Sequence, residues 1–173
     1  MESPLFYIED ITGVTESVTL DEDTSRHVVS VLRMKAGASL NLTDGKGSLL
    51  QCEITDDHKK KCKVRVLDKS FQPRSGPETI IAISLLKNAN RFEWFLEKAV
   101  ELGVDEITLI TSANSERKKV NGDRLLRVMI SAMKQSLRAR LPKLNPLTGF
   151  DLFVQKNFSG LKLIAEQHDA VPI

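Results

Sequence analysis

A chain of 173 residues with 41% hydrophobic content is long enough for one ordinary domain or two small ones and apolar enough to bury a core, which excludes a disordered protein. Aromatic residues make up only 5% against 28% charged, so a module that stacks bases on several exposed rings is disfavoured and recognition by charge and shape is favoured. The net charge of +2 hides a division: Ser115 to Lys143 holds nine Lys or Arg against Glu116 and Asp123, a local charge of +7 that leaves −5 on the rest.

In chain order, Leu5 to Ile8 is a short apolar run and Val14 to Leu20 alternates, so the chain opens with strands. Asp21 to Thr24 supplies helix-capping residues, His27, Val28, Val31 and Leu32 recur at helical spacing, and Gly37 is placed to end that helix. Ser39 to Leu42 and Leu49 to Ile54 flank Thr43-Asp44-Gly45-Lys46-Gly47, a turn signal that predicts a hairpin. Lys61 to Leu67 alternates, with Cys62, Val64 and Val66 on the inner side. Residues 1 to about 70 therefore read as a small β-barrel with one helix, followed by a linker at Gln72-Pro73-Arg74-Ser75-Gly76-Pro77.

Beyond the linker the period changes. Thr79 to Leu86 predicts a strand, Phe92 to Leu102 a helix ended by Gly103, and Glu106 to Ile110 a second strand, which together make a βαβ unit. Phe92, Phe95, Leu96, Ala99 and Leu102 share the inward face, and Glu93, Glu97 and Glu101 form a solvated one. A second helix is predicted from about Asp123 to Ala139, closed by Pro142, with Leu125, Val128, Met129, Ala132 and Ser136 inward. Its other side carries Arg124, Arg127, Ser131, Lys134 and Arg138 as one continuous stripe. Leu161 to Ala165 is the next strand candidate. Three parallel strands with two helices leave an open sheet short of cover, so the sequence reads as interrupted.

The motifs that are missing narrow the chemistry. Neither GxGxxG nor GxxxxGK[ST] occurs, there is no GxSxG nucleophile elbow, and His27, His58 and His168 show no triad spacing. His27, on the predicted buried side, suits a core histidine better than a catalytic one. Cys52 and Cys62 form no CxxC and have no further ligands at metal spacing, so no metal is expected and the thiols read as buried and reduced. Met1 to Ile11 carries Glu2, Glu9 and Asp10 without a signal-type apolar run, and no stretch has the ~18 apolar residues of a membrane helix, so a cytoplasmic protein is expected. The basic strip has the footprint of a polyanion binder, the alternative being a solvated helix face.

Four strings carry a resemblance: His27 to Arg33 (HVVSVLR) with Gly37 after it, Phe92 to Val104 (FEWFLEKAVELGV), Ser115-Glu116-Arg117, and Lys134 to Arg138 (KQSLR) with Pro142. In order and spacing the chain resembles the 16S rRNA uridine-N3 methyltransferases of the SPOUT superfamily, over essentially its whole length. The resemblance implies an α/β protein with an N-terminal PUA-like RNA-binding barrel at 1–71, a linker at 72–77, and the first part of a trefoil-knot methyltransferase domain at 78–173. It also implies S-adenosylmethionine as cofactor, 16S rRNA of the small ribosomal subunit as partner, and a homodimer. Two departures stand out. Lys134 occupies a position where many relatives have glutamate, and the family's glycine-rich Gly-Pro-Glu-Gly-Gly-type loop does not follow Leu161 to Ala165. The expectation is therefore a chain that stops before the cofactor-binding knot, with most of that site missing and its activity as given in question.

Within that reading Arg138 is the candidate cation beside the uracil carbonyls, with a plain phosphate contact as the alternative. Gln135 is the candidate for a base edge, and Glu166 either orients a ligand or is simply exposed. Arg117, Lys118, Lys119, Arg124, Arg127 and Lys134 are expected to grip the RNA backbone, joined by Arg26, Arg33 and Lys35 in the barrel. An RNA-binding module or assembly protein without catalysis is the rival reading.

Overall fold

The structure, a computed structural model, describes residues 3–11, 13–14, 16–112, 115 and 119–165. Strands β1 (Leu5–Tyr7), β2 (Ser17–Thr19), β3 (Ser39–Thr43), β4 (Ser48–Asp56) and β5 (Lys63–Phe71) form one sheet in the order β1-β3-β4-β5-β2, antiparallel except where β1 meets β3. Two register shifts along β4–β5 bend the sheet. Alternate residues Leu40 and Leu42, Leu50, Cys52 and Ile54, and Cys62 and Val64 close on one buried core. The β3–β4 connection is held by Asp44, whose Oδ1 accepts from the backbone N of Lys46 at 2.8 Å.

Helix α1 (Glu22–Arg26) starts at Asp21, whose carboxylate accepts from the N–H of Thr24 at 2.9 Å. Burial works against the Asp21 charge, but hydrogen bonds from Thr24 outweigh it and hold the carboxyl below its usual range. The helix then widens into a π-turn over His27–Val31, closed by Leu32 N donating to His27 O at 2.9 Å. The extra residue rotates the following side chains. Val28 and Val29 plug the core, whereas His27 and Leu32 are exposed and Val31 is 65% exposed, contrary to the inward positions expected from helical spacing. His27 meets Phe6 edge-on at 5.8 Å.

The second sheet is fully parallel, β6 (Ile80–Ser84), β7 (Glu106–Thr111) and β8 (Lys143–Gly149), in the order β6-β7-β8. The crossovers are α2 (Ala89–Leu102) and α3 (Gly122–Gln135). Both right-handed steps run in the same direction across the sheet, so both helices lie on one face. Phe92, Leu96, Ala99 and Val100 pack with Leu125, Met129, Ala132 and Met133 over Ile107 and Leu109. Leu102, expected inward, lies off this arc and is exposed. A short helix α4 (Phe150–Val154) follows β8.

The third strand departs from the sequence reading. β8 covers Lys143–Gly149, and 161–165 have no regular structure, with Leu161 87% and Ile164 91% exposed. β8 is an edge strand, and a register shift between its pairings with Thr108 and Ile110 accommodates Pro146, which has no N–H to donate. Helix α3 also stops four residues before Ala139. Leu137 adopts φ 53°, and Arg138 N reaches back to Met133 O at 3.1 Å, a Schellman-type stop with leucine where glycine is usual.

The turn that follows joins the two sheets. Gly47 N donates to Ala139 O at 2.8 Å, Leu141 N to Gly45 O at 2.7 Å, and Thr43 Oγ1 to Ala139 O at 3.2 Å. Arg140 Nε donates to Gln72 O at 2.9 Å, and its guanidinium lies 5.3 Å from the centre of the Phe71 ring. The β3–β4 turn is thus stitched to the end of α3 by backbone bonds.

Candidate nucleic-acid interface

Because α2 and α3 run antiparallel to the strands, their N-termini meet the C-terminal ends of β6 and β7, where ligands of open parallel sheets collect. Each start is capped by asparagine: Asn88 Oδ1 accepts from Asn90 N at 2.9 Å, and Asn121 Oδ1 from Arg124 N at 3.0 Å. The two positive helix ends are tied by a forked ion pair in which Arg124 Nε lies 2.7 Å from Glu93 Oε1 and Arg124 Nη2 3.1 Å from Glu93 Oε2. Glu93, expected on a solvated face, has only 19% of its side chain exposed because of this contact. Leu86, Lys87, Asn88 and Arg91 line an open depression at this edge. Arg91 was missed by sequence reasoning; the signal was a basic residue in the first turn after a cap.

Along α3, Arg124, Arg127 and Lys134 fall on one side, opposite Leu125, Met129 and Met133, as the spacing predicts. Lys119, Arg127 and Lys134 have no acidic partner among the described residues, and these cations face outward beside the ion-paired but exposed Arg124. Arg117, Lys118 and Glu166 lie outside the described residues. Ser115, the first residue of the Ser-Glu-Arg string, uses its Oγ to accept from Ser112 N at 2.8 Å.

Arg138 does not continue the stripe. The stop at Leu137 swings it off the helix, and its Nε donates to the carbonyl of Glu101 at 2.8 Å, capping the last turn of α2. Its guanidinium rests on the bare backbone of Gly103 (φ 81°), where a Cβ would come 2.5 Å from Nη1. Arg138 and Gln135 therefore sit at the end of α3 away from the strand C-termini, Gln135 lying roughly 16 Å along the helix from Arg124. In the first sheet unit, Arg26 pairs with Glu22 at 2.9 Å and Lys35 with Asp57 at 3.1 Å, while Arg33, at φ 56°, is exposed and has no acidic partner among the described residues.

Among the described residues no group of His, Cys, Asp or Glu could hold a metal ion, and no helix is long and apolar enough to cross a membrane. Cys52 and Cys62 are free and buried, and burial pushes the Cys52 thiol up to about 11.

Comparison with known proteins fits this architecture. A family profile described as an RNA methyltransferase domain matches residues 74–173, and one described as an RNA methyltransferase PUA domain matches residues 20–67. The ribosomal RNA small subunit methyltransferase E of Mycobacterium bovis is 29% identical over 163 residues, 90% of this chain and 62% of that protein. The Bacillus subtilis protein of the same name is 25% identical over 148 residues, 82% of this chain and 57% of its own length, so the chain spans about three fifths of such relatives. Among solved structures, a probable rRNA methyltransferase from Porphyromonas gingivalis superposes with a TM-score of 0.85 at 40% identity, covering 98% of this chain and 71% of that one. The Neisseria gonorrhoeae ribosomal RNA small subunit methyltransferase E, solved bound to S-adenosylmethionine, gives a TM-score of 0.79 at 27% identity, covering 91% of this chain and 67% of its own. With its PUA-type N-terminal sheet and α/β second unit, the chain belongs to the RNA methyltransferase family of the ribosomal RNA small subunit methyltransferase E type.

Proposed function

We propose that the protein methylates N3 of uridine in the 16S rRNA of the small ribosomal subunit, in the cytoplasm, with S-adenosylmethionine as methyl donor, and that it does so as a SPOUT-type homodimer contributing to ribosome biogenesis. In this reading residues 1–71 are the PUA-like RNA-binding unit, 72–77 the linker and 78–173 belong to the methyltransferase domain. The observation that carries it is the cationic side of α3 beside the C-terminal edge of a parallel sheet, joined to a PUA-type unit.

The described residues do not themselves fit the methyl donor. The depression at the strand C-termini presents Arg91 and the cleft between the sheets presents Arg74, Arg138 and Arg140, cations that suit anions better than a sulfonium. What the chain's residues supply is RNA contact. Lys119, Arg124, Arg127 and Lys134 neutralise phosphates, with Arg117, Lys118, Arg26, Arg33 and Lys35 proposed as further contacts.

Removal of the N3 proton leaves anionic character on the uracil, which a guanidinium beside its carbonyl oxygens stabilises more in the transition state than in the ground state. Arg138, capping α2 at the far end of α3, suits a phosphate contact better than this role, and Gln135 goes with it. Arg91, exposed in the first turn of α2 at the strand C-termini, is the better-positioned cation. Glu166 remains proposed as a ligand-orienting carboxylate.

The test is nucleoside mass spectrometry of small ribosomal subunits lacking the modification, after incubation with the whole protein and S-adenosylmethionine. The reading expects 3-methyluridine; methylation elsewhere, or none, rejects it. A second reading, RNA binding by this chain without catalysis, is tested by calorimetric titration of the chain with S-adenosylmethionine. Micromolar affinity would exclude that reading.

A further inference from the structure

The seam between the two sheets holds a feature that the cations along α3 do not use. A cleft of about 200 Å³ is lined by Arg74, Arg138 and Arg140 together with backbone of Gln72 and Gly103. Arg138 and Arg140 each spend one donor, Nε, on a backbone carbonyl, at 2.8 and 2.9 Å. Each guanidinium has five N–H donors in a planar fork, so the Nη groups of both are left for an outside acceptor. Asp105 also lines the cleft, but its Oδ2 already accepts from Thr79 N at 2.9 Å. Beside the cleft, at the end of β5, Phe71 is 61% exposed with Arg140 over its ring. Lys46 is exposed on the neighbouring turn and bridged to Arg140 through the backbone.

This cluster depends on Gly47. Gly47 has φ 111°, and a Cβ there would lie 2.7 Å from Gln72 O, 2.9 Å from Arg140 Nη2 and 3.0 Å from Phe71 Cε2. A residue without a side chain is what lets a ring, a guanidinium and a carbonyl converge from three segments of the chain. The backbone bonds of the seam fix this arrangement before any ligand arrives, which lowers the ordering cost of binding.

We propose that the seam is a nucleotide subsite for single-stranded RNA, with a phosphate held by the Nη groups of Arg138 and Arg140 and the adjoining base stacked on Phe71. The pairing of a cation cluster with one exposed ring selects a single strand over a duplex, whose bases are already stacked and out of reach. The inference rests on the RNA-binding reading and adds to it a second contact, beyond the Leu137 stop from the α3 stripe.

The test measures binding of a short uridine-rich single strand and of an RNA duplex of equal length by fluorescence anisotropy, for the chain and for Phe71→Leu, Phe71→Trp and Arg127→Ala, with circular dichroism confirming each fold. Phe71→Leu should weaken the single strand by about tenfold, leave the duplex unchanged and leave the salt slope unchanged, since no charge is removed; Phe71→Trp should retain affinity. Ultraviolet crosslinking of a 5-iodouridine strand should label the peptide containing Phe71. If Phe71→Leu binds the single strand as the parent does while Arg127→Ala binds it less well, the subsite is wrong and the RNA-binding reading survives. If the parent binds neither RNA, the RNA-binding reading fails and takes the subsite with it.

Discussion

The cations along α3 and the two arginines just beyond its end are used differently. On the outward side of the helix, Arg127 and Lys134 have no acidic partner among the described residues and Arg124 is paired with Glu93, so charge is kept available to a solvent-borne partner. At the C-terminal end, Arg138 and Arg140 are anchored through Nε to backbone carbonyls and hold helix and sheet together. Arginine suits both tasks because its planar fork can satisfy a carbonyl with one N–H and present the others elsewhere. The difference teaches that a basic strip in a sequence is not one surface: a single left-handed residue, Leu137, divides it into an outward-facing part and a part that builds the seam.

Substitutions should separate the two parts, with the seam losing most. Gly47→Val forces a branched side chain into φ 111° and against Gln72 O, so urea denaturation should report a loss of about 3 kcal/mol or more. A near-neutral result would mean the seam is looser than the contacts imply. Arg138→Ala strips a charged donor from the end of α2 and should cost about 2 kcal/mol, with Arg138→Lys recovering only part because the ammonium lacks the fork. Arg124→Ala breaks a largely exposed but forked pair and should cost about 1 kcal/mol, more than a simple surface bridge. Arg127→Ala should lie within about 0.5 kcal/mol of the parent, the mark of a side chain that does no structural work.

A pH effect belongs to the first sheet rather than to α3. The Cys52 thiol is raised by burial to about 11, so the unfolded chain ionises first on the alkaline side. Its contribution to stability is whole below the ordinary thiol range and is lost as pH rises through about 11. Native protein at pH 8 should react slowly with a disulfide reagent and rapidly once unfolded; equal rates would show the site to be open.

Much of the architecture was legible because local signals agreed with it. The Asp-Gly turn, the strict alternation around Val64 and the capped periodicity of α2 each specify one state. β8 was not legible: Lys143–Gly149 contains Pro146 and Asn145, has no clean alternation, and is a strand only because β7 offers an open edge. Leu161 to Ala165 has the composition of a strand but pairs with none among the described strands, since composition does not say whether a neighbour is present. The stop of α3 was missed because helical periodicity runs through Leu137, and nothing in a leucine announces φ 53°. The site followed suit. The stripe through Arg124, Arg127 and Lys134 could be read from spacing, whereas the seam cluster of Phe71, Arg138 and Arg140 depends on tertiary contacts between distant segments.

The central claim is that the cations beside and along α3 that lack acidic partners among the described residues hold RNA by its phosphates. It is tested most directly by the salt dependence of binding to a small-subunit rRNA fragment, for the parent chain and for a Lys119→Ala, Arg127→Ala, Lys134→Ala triple variant. Three lost single-strand phosphate contacts should lower the slope of log K against log salt by about 2, with the fold intact. An unchanged slope would contradict the account.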